Sequence, residues 1–251
     1  MMSGHSKWST IKRKKEKADA KRGRVFTRLI KEITVAAREG GGDAEKNPRL
    51  RTAIANAKSE NMPQDNIERA IKKGTGELPG TTYEEAHFEA YGPGGVAILI
   101  EILTDNKNRT TAEIRHILSK YGGNMGETGS VTWMFHQKGL IHIQNGSINE
   151  DTLLEVSLDG GADDVSLQGE IYEITIDPSL FESFKEHLEK ENYKIMKAEI
   201  TKTPQSTVPI KERKKAEKIL TLMEALEEQD DVQNIYSNFD IPDEILESIT
   251  S

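Results

Sequence analysis

The amino-acid sequence predicts an α+β protein of three domains: an N-terminal helical bundle, a discontinuous α/β middle domain, and an inserted ferredoxin-like βαββαβ domain. Apolar residues recur at helical spacing as far as Gly74, and beyond Gly74-Thr75-Gly76 the period falls to two. After Gly139 the elements read strand, helix, strand, strand, helix, strand. A length of 251 residues accommodates two or three modest domains.

Each element has its own signal. Phe26, Leu29, Ile30, Ile33 and Ala37 line one face of a helix expected from Val25 to the stop at Gly40-Gly41-Gly42. Asn47 predicts an N-cap with Pro48 at the first helical position and Leu50, Ile54 and Ala57 turned inward. Asp65 and Glu68 stand in capping-box register for a third helix through Ile67, Ala70 and Ile71. Residues 86–91 and 96–103 flank Gly92-Pro93-Gly94-Gly95, whose glycines permit the positive φ of a tight reversal, so a β-hairpin is expected. Thr110 and Glu113 read as the cap of the next helix, which turns Ile114, Ile117 and Leu118 inward ahead of a strand at 131–135. The inserted unit falls at 140–143, 150–158, 164–167, 171–176, 179–191 and 193–200. A helix at 211–228 and a strand at 232–236 complete the interrupted ββαβ unit. The expected domains are 1–78, 79–137 with 204–241, and 138–203, followed by a tail at 242–251.

Charge divides the chain unevenly. The net charge is −8, yet residues 1–78 carry 19 Lys and Arg against 10 Asp and Glu, about +9, and the remainder about −17. That split is the footprint of a polyanion-binding module on an acidic body. No apolar run approaches the roughly 18 residues of a membrane span, and the basic N-terminus lacks the apolar core of a signal peptide. The absence of cysteine removes disulfides and thiolate catalysis and fits a reducing cytoplasm. The histidines are scattered without ligand spacing, and no Gly-x-Ser-x-Gly or His-Glu-x-x-His element occurs, so neither enzyme activity, a metal nor a cofactor is expected.

The candidate site is the basic arm. Lys7, Lys12, Arg13, Lys14, Lys15, Lys17, Lys21, Arg22 and Arg24 can each neutralise a phosphate, and Arg28, Lys31 and Arg38 extend the charge along the first helix. The plainer reading is a solvated basic tail, and a third is a module for an acidic protein partner. Trp8 has two readings, stacking on an unpaired base or anchoring the arm to the bundle. Lys107, Asn108 and Arg109 form a smaller basic spot before a helix, either a phosphate contact or an exposed loop. Gly92-Pro93-Gly94-Gly95 lacks the parts of a P-loop, and Gly123-Asn124-Met125-Gly126 matches a GXXG loop but leads into a strand. The carboxylates of residues 224–231 read as a solvated helix end. No heptad seam marks a dimer, and a monomer is expected.

Five segments resemble one family: GHSKWSTIKRKKEKADAKRGRVFTRLIKEITVAAREGG, NMPQDNIERAIKKGTGE, EAYGPGGVAILIEILTDNKNRT, GGNMGETGSVTWMF and DDVQNIYSNFD are similar to the YebC/PmpR family. That family includes the mitochondrial translational activator of cytochrome c oxidase. The likeness runs through essentially the whole chain, departing at the extra Met before Met2 and the short stretch after Ile241. It implies the same three domains and a non-enzymatic regulator of gene expression. Two mechanisms come with it: DNA binding at promoters, and ribosome association through ribosomal RNA to assist difficult translation such as proline-rich stretches.

Overall fold

The structure is a computed structural model describing residues 18–145, 149–168 and 170–250. Helices α1 (Ala18–Gly40), α2 (Pro48–Ser59) and α3 (Gln64–Gly74) enclose a small core of Ile33, Ala36 and Ala37 against Leu50, Ala53 and Ala57, closed by Ile67 and Ala70. Helix α1 starts no later than Ala18, well before the expected Val25. Alanine, lysine and arginine favour helix strongly enough to carry it past the end of its apolar face. Asn47 caps α2 as expected, accepting from the Leu50 N–H at 3.1 Å while its amide donates to the carbonyls of Ala36 and Gly41 at 2.8 Å. The expected capping box of α3 does not form. The helix starts after Pro63, whose φ of −57° is already helical, and Asp65 sits in the first turn. Gly74 permits the α1–α3 approach, since a Cβ there would lie 2.4 Å from the Thr34 carbonyl oxygen.

The first sheet joins β1 (Glu84–Gly92), β2 (Val96–Thr104), β3 (Asn124–Met125) and β9 (Val232–Ser237) in the order β3-β1-β2-β9. Gly94 and Gly95, at φ +81° and +78°, turn the hairpin between β1 and β2. Val96, Ile98, Ile100 and Ile102 face α4 (Lys107–Lys120) and α7 (Arg213–Glu227). The alternate residues Ala97 and Leu99 face Val131, Phe135 and Tyr236. Because both faces are covered, β2 is apolar almost throughout. Helix α4 is capped by Asn106, which accepts from the Arg109 N–H at 3.1 Å, and not by Thr110, which lies buried inside the helix. The strand expected at 131–135 is a 3-10 turn, Thr132–Met134, leading into β4 (Phe135–Gln144). Glu89 captures the N–H groups of Val131 and Thr132, so they cannot enter a ladder.

From β4 the chain makes an excursion through α5 (Glu150–Asp159), β5 (Ala162–Gln168), β6 (Ile171–Ile176), α6 (Phe181–Lys190) and β7 (Ile195–Pro204). The second sheet has the order β5-β6-β4-β7 with every neighbour antiparallel. This is the βαββαβ arrangement expected from the order of elements. Ile141, Ile143, Tyr172, Ile174 and Ile176 pack on Leu153 of α5 and on Phe181, Phe184 and Leu188 of α6. The chain then returns through β8 (Val208–Pro209) to α7 and β9, and β10 (Phe239–Asp240) pairs with β8 in parallel.

Residues after Ile241, expected as a tail, form α8 (Asp243–Thr250). Ile245, Leu246 and Ile249 recur at helical spacing and close the core beneath α7. Leu246→Ala is expected to lower the unfolding free energy by about 2 kcal/mol or more in a urea titration. A solvated tail would leave the midpoint where it was.

Candidate nucleic-acid interface

Lys7, Trp8, Lys12, Arg13, Lys14, Lys15 and Lys17 lie outside the described residues. Lys21 and Arg22 belong to α1. From Arg24 onward the α1 cations were expected to extend a phosphate-binding face, and the structure engages Arg24, Arg28, Lys31 and Arg38 with groups of the protein itself instead. Arg24 pairs with Glu228 at 3.3 Å, and Arg28 donates to the Glu227 carbonyl. Burial draws the Arg28 pKa below its ordinary value. Arg38 donates to the Tyr83 carbonyl at 2.6 Å. From α2, Arg49 binds Glu32, Glu39 and Glu85, and hydrogen bonds with Glu32 raise its pKa.

Lys31 is the centre of this docking. Its Nζ donates to Asp231 Oδ1 at 2.6 Å and to the carbonyls of Asp230 at 2.9 Å and Leu103 at 3.4 Å. Asp231 Oδ2 accepts from Thr110 at 2.7 Å, Arg109 at 2.9 Å and Thr104 at 3.1 Å. Burial opposes ionisation of Asp231, but hydrogen bonds from Lys31, Thr110 and Arg109 outweigh it and hold the carboxyl far below the usual range. The sequence reading assigned Asp231 to a solvated helix end. It is 3% exposed, because β9 begins at the next residue and places it against Lys31 of α1.

Arg109, expected with Lys107 as a loop contact for phosphate, lies in the first turn of α4 and binds Asp105 at 2.7 Å as well as Asp231. Lys107 is exposed in the same turn. The structure thus separates the two. One cation holds the fold, and the other faces outward.

A second buried carboxylate shapes the glycine-rich loop. Glu89 Oε1 accepts from the Gly129 N–H at 2.6 Å, and Oε2 accepts from Val131 at 2.6 Å and Thr132 at 2.8 Å. Burial pushes its pKa up, yet the backbone donors of Val131, Gly129 and Thr132 together bring it down to about 2. The loop so fixed presents Trp133 at 62% exposure, its indole N–H donating to the Ser130 carbonyl at 3.1 Å. Sequence reasoning missed Glu89, since a lone carboxylate in an alternating strand resembles a solvent-facing residue. Among the described residues no group of three or more His, Asp or Glu is placed to hold a metal, and no helix is long and apolar enough to cross a membrane.

The architecture is that of a mixed α/β protein whose helices cover antiparallel sheets and whose N-terminal end is strongly cationic. Residues 6–77 match the model of the TACO1/YebC protein N-terminal domain, and residues 83–239 match that of the TACO1/YebC second and third domain. The chain belongs to the TACO1/YebC family. A relative from Desulforapulum autotrophicum, named a probable transcriptional regulatory protein, is 58% identical over 248 residues, covering 99% of this chain and 100% of the other. One of the same description from Syntrophus aciditrophicus is 56% identical over 251 residues, covering both chains fully. The crystal structure of a conserved hypothetical protein from Aquifex aeolicus superposes with a TM-score of 0.79 at 50% identity, covering 90% of this chain and 93% of that one.

Both buried carboxyls titrate below their ordinary values in the folded chain, so the stability they contribute is complete above the unfolded values, 4.5 for Glu89. The Glu89 contribution is lost as pH falls towards about 2, and that of Asp231 at still lower pH. The melting temperature is expected to drop across that window, and Glu89→Gln to flatten the drop. Lys31→Met is expected to destabilise the chain by about 3 kcal/mol in chemical denaturation, because it strips Asp231 of its nearest cation.

Proposed function

We propose that this chain is a nucleic-acid-binding regulator of gene expression, a DNA-binding transcriptional regulator whose arm contacts phosphates through Lys7, Lys12, Arg13, Lys14, Lys15, Lys17, Lys21 and Arg22. The observation that carries the reading is the charge split, about +9 over residues 1–78 against about −17 beyond them. The relatives' description as transcriptional regulatory proteins supports it. The separate apolar cores of the helical bundle, the first sheet, which is covered on both faces, and the second sheet favour a division into an N-terminal domain, a discontinuous middle domain and an inserted one. In this reading the acidic body orients the arm and the chain acts in the cytoplasm.

A second reading, ribosomal RNA as the target, is favoured by one observation. Arg24, Arg28, Lys31 and Arg38 are committed to internal partners, so the docked length of α1 leaves those side chains unavailable for reading base edges in a DNA groove. Recognition by phosphate and shape suits structured RNA.

Replacing Lys12, Arg13, Lys14 and Lys15 with Gln is expected to weaken binding to every sequence alike. It should also reduce the salt slope of log Kd by about 3 to 4 on duplex DNA. An unchanged slope would remove the arm from the interface. Crosslinking in growing cells, followed by sequencing of the attached nucleic acid, then decides the target: reads in promoter DNA establish the transcriptional reading, and reads in ribosomal RNA replace it.

A further inference from the structure

Helix α7 carries its charge the wrong way round. The partial charge at a helix N-terminus favours carboxylates and that at the C-terminus favours cations. Here Lys211, Arg213, Lys214, Lys215 and Lys218 gather at the start, while Glu224, Glu227 and Glu228 gather at the end. The acidic end has an internal explanation, because Arg24 pairs with Glu228 and Arg28 donates to the Glu227 carbonyl. The basic end has only part of one. Arg213 binds Glu217 at 2.9 Å and Lys215 binds Glu212 at 2.7 Å. Lys211, Lys214 and Lys218 are exposed and make no ion pair with any described residue. Lys214 and Lys218 stand one turn apart on the side of α7 away from the buried Ala216, Ile219 and Met223, and Lys211 lies three residues before Lys214, just ahead of the N-cap Glu212.

The run 211–218 is the densest basic stretch beyond residue 24, and it lies in the part of the chain that is otherwise acidic. Cations held there against the helix dipole, without internal carboxylates, are matched by an external polyanion. We propose that Lys211, Lys214 and Lys218 form a second phosphate-binding surface for the nucleic acid that the arm engages. The proposal rests on the nucleic-acid reading above and extends it, since it makes the contact bipartite. The 15 residues of α7 span about 22 Å, separating this surface from the end where Arg24 meets Glu228. Along one strand of a duplex that distance holds about six phosphates.

The test is a salt titration by fluorescence anisotropy, using a labelled 20-base-pair duplex DNA and a labelled RNA hairpin. Wild type is compared with the K211Q/K214Q/K218Q variant and with a control that neutralises Lys185, Lys190 and Lys194 on the excursion. The patch variant is expected to bind at least about tenfold more weakly near 150 mM salt and to lose about 2 to 3 units of salt slope. The control should keep the wild-type slope. The patch variant should melt no lower than wild type, because removing cations from a helix N-terminus relieves the dipole. Loss on the duplex, on the hairpin or on both shows which backbone the surface takes. Wild-type affinity and slope in the patch variant would overturn the proposal while leaving the arm reading intact, and an equal loss in the control would reduce it to long-range charge. Failure of wild type to bind either probe would overturn the nucleic-acid reading itself.

Discussion

The docking of the N-terminal helices depends on one buried ion pair. Lys31 and Asp231 are 200 positions apart in sequence and 2.6 Å apart in space. The Asp231 carboxylate binds side chains from α1, from the end of β2 and from α4, and the residue itself immediately precedes β9. Desolvating two charges costs several kcal/mol each, and the cost is recovered only where every remaining donor and acceptor is matched. Here it is: the lysine reaches three oxygens, and the carboxylate is surrounded by lysine, arginine and hydroxyl donors. A sliding or rotated α1 would strand a buried charge. The pair therefore selects one placement of the helix against the first sheet.

The cations of the first domain divide by task. Those from Arg24 to Arg49 on α1 and α2 are largely engaged with carboxylates and carbonyls of the protein, and Arg109 joins them. A count of basic residues in this region overstates the charge offered to a ligand. The same division runs through α7, where two cations of the opening run are paired with neighbouring glutamates and three are exposed without such partners.

The architecture was largely legible in the sequence because it is written in periodicity. The shift from a period near four to a period of two at Gly74-Thr75-Gly76 separates the helices from the first sheet, and the alternation in 171–176 marks a strand with one face inward. The errors fell where a side chain outbid the local pattern. Val131 and Thr132 have strand propensity, but Glu89, forty positions away, takes their N–H groups. Thr110 looks like a cap and is a buried donor to Asp231, while Asp231 sits in an acidic run and is buried. Each of these three errors involves a contact between residues far apart in the chain, which no window of neighbours contains, whereas the early start of α1 and the missing capping box of α3 have local causes. Of the proposed site, its sign of charge was legible. Which cations were consumed by the fold was not.

The excursion to the second sheet leaves and returns through adjacent strands. Phe135 of β4 pairs with Pro204 of β7, and the pairing continues through His136–Thr203, Gln137–Lys202 and Lys138–Thr201. At the junction Lys202 of β7 binds Glu101 of the first sheet, and Gln205 donates to the Met134 carbonyl at 2.8 Å. The two sheets are thus joined by a ribbon, not by a single thread. A ribbon of two hydrogen-bonded strands cannot slide or lengthen without breaking its ladder, so the second sheet is tethered at a fixed distance from the first.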